Sequence, residues 1–115
     1  MKELWHALAR QAEQQPAAIA LSDESGSLSY GELWRRIQAQ AQHLTAQLAA
    51  HGVSGRPVAL AADNGMAWVV QDLACLLAQI PCVPVPPFFN ETQRRHLLRD
   101  SGCALLCVGT PEGWQ

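Results

Sequence analysis

The sequence predicts an α/β fold: a three-layer parallel-sheet subdomain of βαβαβ order, preceded by an N-terminal helix and a β-hairpin. Three observations carry this prediction. The runs "PVALAAD", "PCVPV" and "ALLCV" are short and continuously apolar, as strands buried on both faces are. Helical patterns alternate with them over short links, which argues for parallel pairing with right-handed crossovers. The composition permits a core: of 115 residues, 49% are apolar and 16% charged, so disorder is excluded and one compact unit, residues 1–115, is expected.

In chain order, "KELWHALARQAEQQP" places Leu4, Trp5, Leu8 and Ala12 on one helical stripe that Pro16 ends. "AAIALSDESGSLSY" has two apolar runs around Asp23–Ser27, and the polar middle with Gly26 predicts a hairpin. The sharpest local signal is "LSYGEL". Ser29 and Glu32 have the spacing of a capping box: the serine oxygen accepts from the Glu32 N–H, and the glutamate accepts from the Ser29 N–H. Leu28 and Leu33 flank them as a hydrophobic staple. Leu33, Ile37, Ala41, Leu44 and Leu48 continue one apolar stripe, with Arg35, Arg36, Gln38, Gln42 and Gln47 mostly off it. Gly52 supplies the left-handed residue that closes this helix, and His51 suits its negative end. A buried strand follows at "PVALAAD". Asn64 is placed to cap a helix over Met66–Ala78 that is apolar almost all round. A strand over Pro81–Val85, a polar helix capped by Asn90 and stopped at Gly102, and the buried strand "ALLCV" complete the order.

The prolines need their own account. Pro81, Pro84, Pro86 and Pro87 are four of the chain's seven. They read as a strand entered at Pro81 that stops pairing near Pro84. Pro86 and Pro87, each fixing φ, then predict a stiff extended exit that presents Phe88 and Phe89 just beyond the strand. Ligands of open parallel sheets lie outside the carboxyl ends of the strands. The candidate ligand-edge or interface residues are therefore Asp63, Asn64, Phe88 and Phe89, with Gly109–Thr110 after the third strand. Packing against the rest of the domain is the competing role for the two phenylalanines.

Other chemistry is sparse. A net charge of −2 gives no electrostatic case for nucleic acid. The N-terminus lacks a signal peptide's apolar stretch, and the uncharged run Leu73–Asn90 carries Gln79 and the clustered prolines. Buried core rather than a membrane span is expected, in a soluble cytoplasmic protein. Of Cys75, Cys82, Cys103 and Cys107, none forms C-x-x-C. Cys103 and Cys107, bracketing a strand, would stand about 13 Å apart at ~3.3 Å per residue, too far for a disulfide or one shared metal. Buried, reduced thiols are expected. His6, His43, His51 and His96 form no i,i+4 pair, so no metal site is expected. Arg94, Arg95, His96 and Arg99 make a small basic cluster, and the Glu91–Arg95 spacing marks a solvated helix face. The phosphate-binding and nucleophile-elbow glycine motifs are absent. Lys2 is the one lysine.

"LSYGEL", then "GVSGRPVALAADNGMAWVVQDLACLLA", then "PCVPVPPF", in this order and spacing, resemble the start of the acyl-adenylate-forming enzymes. That family includes acyl-CoA synthetases, fatty-acyl-AMP ligases and the adenylation domains of peptide synthetases. "LSYGEL" looks like its first core motif and "LLAQIPCVPVPP" like its second. The "PVPPFF" variant looks closer to the long-chain acyl branch than to the amino-acid branch. One departure is Gln79, where the family usually has glycine. The resemblance runs from about Leu4 to Val108. It implies an enzyme that binds ATP, Mg²⁺ and a carboxylic acid and forms an acyl-adenylate. The acyl group then passes to a thiol, on CoA or the phosphopantetheine of a carrier protein. The family's catalytic, cofactor-binding and metal residues would fall after Gln115. The resemblance thus implies an inactive N-terminal fragment whose partner is the remainder of the parent enzyme. Uncovered apolar surface would favour a homodimer. The alternatives are a stand-alone interaction or assembly module that kept the fold, and an unrelated flavodoxin-like nucleotide binder.

Overall fold

The computed structural model describes residues 2–61 and 65–108. The chain runs α1 (Lys2–Gln14), β1 (Ile19–Asp23), β2 (Gly26–Ser29), α2 (Tyr30–Ala50), β3 (Val58–Ala61), α3 (Met66–Leu77), β4 (Cys82–Pro84), α4 (Glu91–Ser101) and β5 (Leu105–Val108). β1 and β2 form an antiparallel hairpin. The other three strands form a parallel sheet in the order β4-β3-β5.

Local chemistry sets both ends of α2. The Glu32 N–H donates to Ser29 Oγ at 3.1 Å, and the Ser29 N–H donates to Glu32 Oε1 at 3.1 Å. The predicted box is therefore closed in both directions. Leu28 and Leu33, the staple pair, are both buried. At the other end Gly52 is left-handed, with φ 67°. Its N–H donates to the Ala49 carbonyl and the Val53 N–H to that of Leu48, the two bonds of a Schellman motif. The whole predicted stripe of α2, from Leu33 to Leu48, is buried.

α1 packs on α2 with Trp5 stacked on Trp34, ring centroids 6.2 Å apart. Its apolar stripe is narrower than the sequence implies. Trp5 and Leu8 are partly buried against the cluster around Leu33 and Ile37, but Leu4 is 43% exposed.

α3 ends in the same motif as α2 but without glycine. Gln79 has φ 59°. Its N–H donates to the Leu76 carbonyl, and the Ile80 N–H donates to that of Cys75 at 2.8 Å. A side chain in this conformation costs about 1–2 kcal/mol. The chain accepts it because β4 must start directly beneath α3 and pair with β3. Gln79→Gly is expected to raise the unfolding free energy by up to about 1 kcal/mol, the relief being partly offset by a floppier unfolded chain. Urea titration with an unchanged slope checks this. No gain would mean that the strain is absorbed elsewhere.

The sheet explains the prolines. The Val58 N–H donates to the Pro81 carbonyl, and the Val85 N–H donates to the Leu60 carbonyl, both at 2.9 Å. Alternate residues of a parallel strand aim their backbone groups at the same neighbour. Residues 81, 83 and 85 therefore face β3, while Cys82 and Pro84 face the outer edge. Pro84 loses no ladder bond there, and its missing N–H blunts the edge.

Both faces of β3 are covered. Val58 and Leu60 pack with Leu44, Leu48, Cys75 and Cys107 on the α2–α3 side. Ala59 points the other way and is 0% exposed. The predicted full burial of the last strand is corrected: Leu106 is 43% exposed, because β5 is an outer strand among the described residues. Between α2 and α3 the buried amide oxygen of Gln71 accepts from Gln40 Nε2 at 3.0 Å, which keeps that polar group satisfied. No helix among the described residues is long and apolar enough to cross a membrane.

Candidate functional site

The strand order locates the candidate site. From β3 the chain steps to β4 on one side, then crosses back to β5 on the other. Right-handed crossovers put α3 and α4 on opposite faces of the sheet. The connections that leave β3 and β4 therefore pass to opposite faces, and ligands of open parallel sheets bind in the crevice outside the strands' carboxyl ends. Ala61 and Val108, paired in register, lie at that carboxyl edge. Asp63, Asn64 and Gly109–Thr110 of the predicted ligand edge lie outside the described residues.

Phe88 and Phe89 follow β4, on the opposite side of β3 from β5. Their approach differs from the predicted extended exit. The Phe89 N–H donates to the Pro86 carbonyl at 3.1 Å, closing a β-turn with Pro87 in its second position. Proline's fixed φ suits that position, so the pair Pro86-Pro87 turns the chain instead of extending it. The rings meet edge to face at 5.5 Å and 75°. Phe88 is 80% exposed, and Phe89 is half-buried.

A residue that sequence reasoning passed over holds the approach to the crevice. Asp23, at the hairpin tip, accepts from the Ser25 N–H at 2.8 Å and the Ser25 hydroxyl at 2.6 Å through Oδ1. Its Oδ2 accepts from the Met66 N–H at 2.9 Å. The hairpin thus caps α3 across 43 positions of sequence. The N-cap position is Gly65, not the predicted Asn64, and it makes no side-chain cap bond. The only local hint was an aspartate at the start of a D-E-S-G turn. The Ser25 hydroxyl, then the Met66 and Ser25 N–H groups, hold the Asp23 carboxyl below the ordinary aspartate value. Because the folded pKa is depressed, this stabilisation is present above the unfolded value, about 3.9, and is lost as pH falls through the folded one. The stability gap between the wild type and Asp23→Ala should therefore stay constant at neutral pH and shrink with acidification below about pH 4. A gap unchanged down to pH 2 would show that the carboxylate charge is not what matters.

The basic helix behaves as a solvated face. Arg95 pairs with Glu91 at 2.7 Å and His96 with Asp100 at 3.0 Å, all well exposed. Arg94 is partly buried, and its Nε lacks a hydrogen-bond partner. Two surface grooves lie elsewhere. One of about 480 Å³ runs between α2 and the end of α3, lined by Ala41, Thr45, Ala49 and Leu77. The other, about 470 Å³, runs between Trp5 and the turn at Gln79–Pro81. α3 runs from the carboxyl end of β3 to the amino end of β4, so both grooves lie toward the amino edge, away from the crevice. Among the described residues no cluster of three or more His, Cys, Asp or Glu side chains could hold a metal ion. The sole lysine, Lys2, lies at the start of α1 beside the second groove.

The chain matches the AMP-binding enzyme family over residues 8–114. It is 34% identical to a plipastatin synthase subunit of Bacillus subtilis (strain 168) over 95 residues, 83% of this chain and 3% of that protein. Among solved structures it superimposes on O-succinylbenzoate coenzyme A synthetase (MenE) of Bacillus subtilis in complex with AMP with a TM-score of 0.69. Identity there is 27%, over 96% of this chain and 28% of that one. The fold is shared with fatty acid AMP ligase from Legionella pneumophila at a TM-score of 0.69 and 21% identity, over 91% of this chain and 19% of that one. The chain thus spans a small part of each protein it matches. On the motifs, the doubly wound sheet and the match over nearly its whole length, it belongs to the AMP-binding family of adenylate-forming enzymes.

Proposed function

We propose that this chain is the scaffold portion of an ATP-dependent ligase that activates a carboxylic acid as its acyl-adenylate, with a thioester to CoA or a carrier-protein thiol as the next step. The observation that carries the reading is the match to the AMP-binding enzyme family over residues 8–114 by a chain that spans only a small part of the relatives named above. Catalysis of this type works by placing cations and hydrogen-bond donors against developing charge. In this reading the rest of the ligase supplies those groups and Mg²⁺, and is the chain's partner.

A fatty acid is the substrate that the "PVPPFF" segment favours. An amino acid is the second reading, favoured by the 34% identity to a plipastatin synthase. Acid-dependent ATP–pyrophosphate exchange tests both. Residues 1–115 alone should give no exchange above background, whereas the polypeptide extended through its ligase sequence should exchange with its own acid. Exchange by the 115 residues would overturn the scaffold reading. A panel of fatty acids against amino acids on the extended polypeptide selects the substrate class.

A further inference from the structure

The two outer edges of the parallel sheet differ in their chemistry. On β4 the residues aimed outward are Cys82 and Pro84, so that edge offers a single N–H and cannot carry a ladder. On β5 the Ala104 N–H donates to the Pro57 carbonyl at 2.8 Å. Backbone direction alternates along a parallel strand, so Ala104, Leu106 and Val108 aim at β3 while Leu105 and Cys107 aim outward. Neither outward residue is proline, and among the described residues no strand lies beside them. The face of the sheet also ends open on this side. Leu106 is in register with Ala59 and points to the same face. Ala59 is 0% exposed there, whereas Leu106 is 43% exposed, so the cover stops at β5. Unpaired backbone groups beside an exposed leucine are a template for another strand.

We propose that the open edge of β5 is the docking surface for a further strand of the same ligase polypeptide, which bonds to the backbone of Leu105 and Cys107 and lays an apolar side chain over Leu106. The inference rests on the ligase reading above. Two observations choose this occupant. There is polypeptide to supply it, because the chain spans only a small part of the proteins it matches. The surface is also too small for a separate protein. A stable interface between separate chains buries about 1,200–2,000 Å², and two backbone residues with one leucine furnish a small part of that. A segment tethered to the sheet meets the edge at high effective concentration and needs far less contact. Growth is one-sided: Pro84 keeps β4 as the outer strand, and the sheet extends beyond β5.

The test is amide hydrogen exchange with single-residue readout by mass spectrometry, on residues 1–115 and on the polypeptide extended through its ligase sequence. In the 115 residues, the Leu106 amide should be protected by β3, and the Leu105 and Cys107 amides should exchange fast. In the extended polypeptide, Leu105 and Cys107 should slow by at least about tenfold, toward the rate of Leu106. Fast exchange at both, in an extended polypeptide that still shows acid-dependent ATP–pyrophosphate exchange, overturns the proposal and leaves the ligase reading standing. Protection of both in the 115 residues at every concentration overturns it too, because the edge is then filled from within. Protection that rises with the concentration of the extended polypeptide assigns the edge to a second copy and likewise overturns it. Failure of the ligase reading shows separately: no acid then supports ATP–pyrophosphate exchange, while the two amides still report on the edge.

Discussion

Leu60→Ala should lower the unfolding free energy by about 2–5 kcal/mol, enough to unfold a large fraction of a marginally stable domain. Leu60 is 1% exposed in the central strand, and its side chain fills the space between the sheet and the α2–α3 layer. Its neighbours on the outer strands are Pro84 and Cys107. The truncation removes apolar burial and leaves a cavity that two helices and a sheet cannot easily close, which is why the upper half of the range is expected. Urea denaturation followed by tryptophan fluorescence measures it. The midpoint should fall with the slope unchanged. A loss under about 1 kcal/mol would mean that the layers above β3 are loosely packed.

Gly65→Ala should cost about 1–3 kcal/mol, a large penalty for one methyl group outside the core. Two effects coincide. Gly65 has φ 156° and ψ −168°, a region open almost only to glycine. A Cβ at this position would lie 2.8 Å from Asp23 Oδ2, the oxygen that caps α3. The methyl group therefore strains the backbone and displaces the cap in one step. A double-mutant cycle separates the two. In the Asp23→Ala background the clash is gone, so the Gly65→Ala penalty should shrink to its backbone part. If the two penalties add without interaction, the carboxylate is not seated against Gly65.

What could be read from the sequence follows the range of the interactions. The capping box at Ser29 and Glu32, the staple of Leu28 and Leu33, and the closing Gly52 all involve partners within five residues of one another. Backbone geometry brings such partners together in any helix, so spacing alone identifies them. The buried stripe from Leu33 to Leu48 follows from a period of 3.6 in the same way. The narrower burial of α1 does not, because exposure of Leu4 depends on which neighbour covers it and not on its own spacing. Of the predicted edge residues, Phe88 and Phe89 are described, and their turn arises from a hydrogen bond that proline's φ permits but does not require.

Residue order alone was enough for the element types, the helix caps with local partners, the three strands and the family. Packing in three dimensions was needed for the order β4-β3-β5, the capping of α3 by Asp23 and the left-handed Gln79. The physical reason is the same in each case. Local hydrogen bonds are chosen by residues three to five positions apart, whereas these features are chosen by how whole elements pack and pair, which brings together residues that sequence spacing leaves unrelated. Where the two compete, as at Gln79, strand pairing beneath α3 outweighs a conformational preference of about 1–2 kcal/mol.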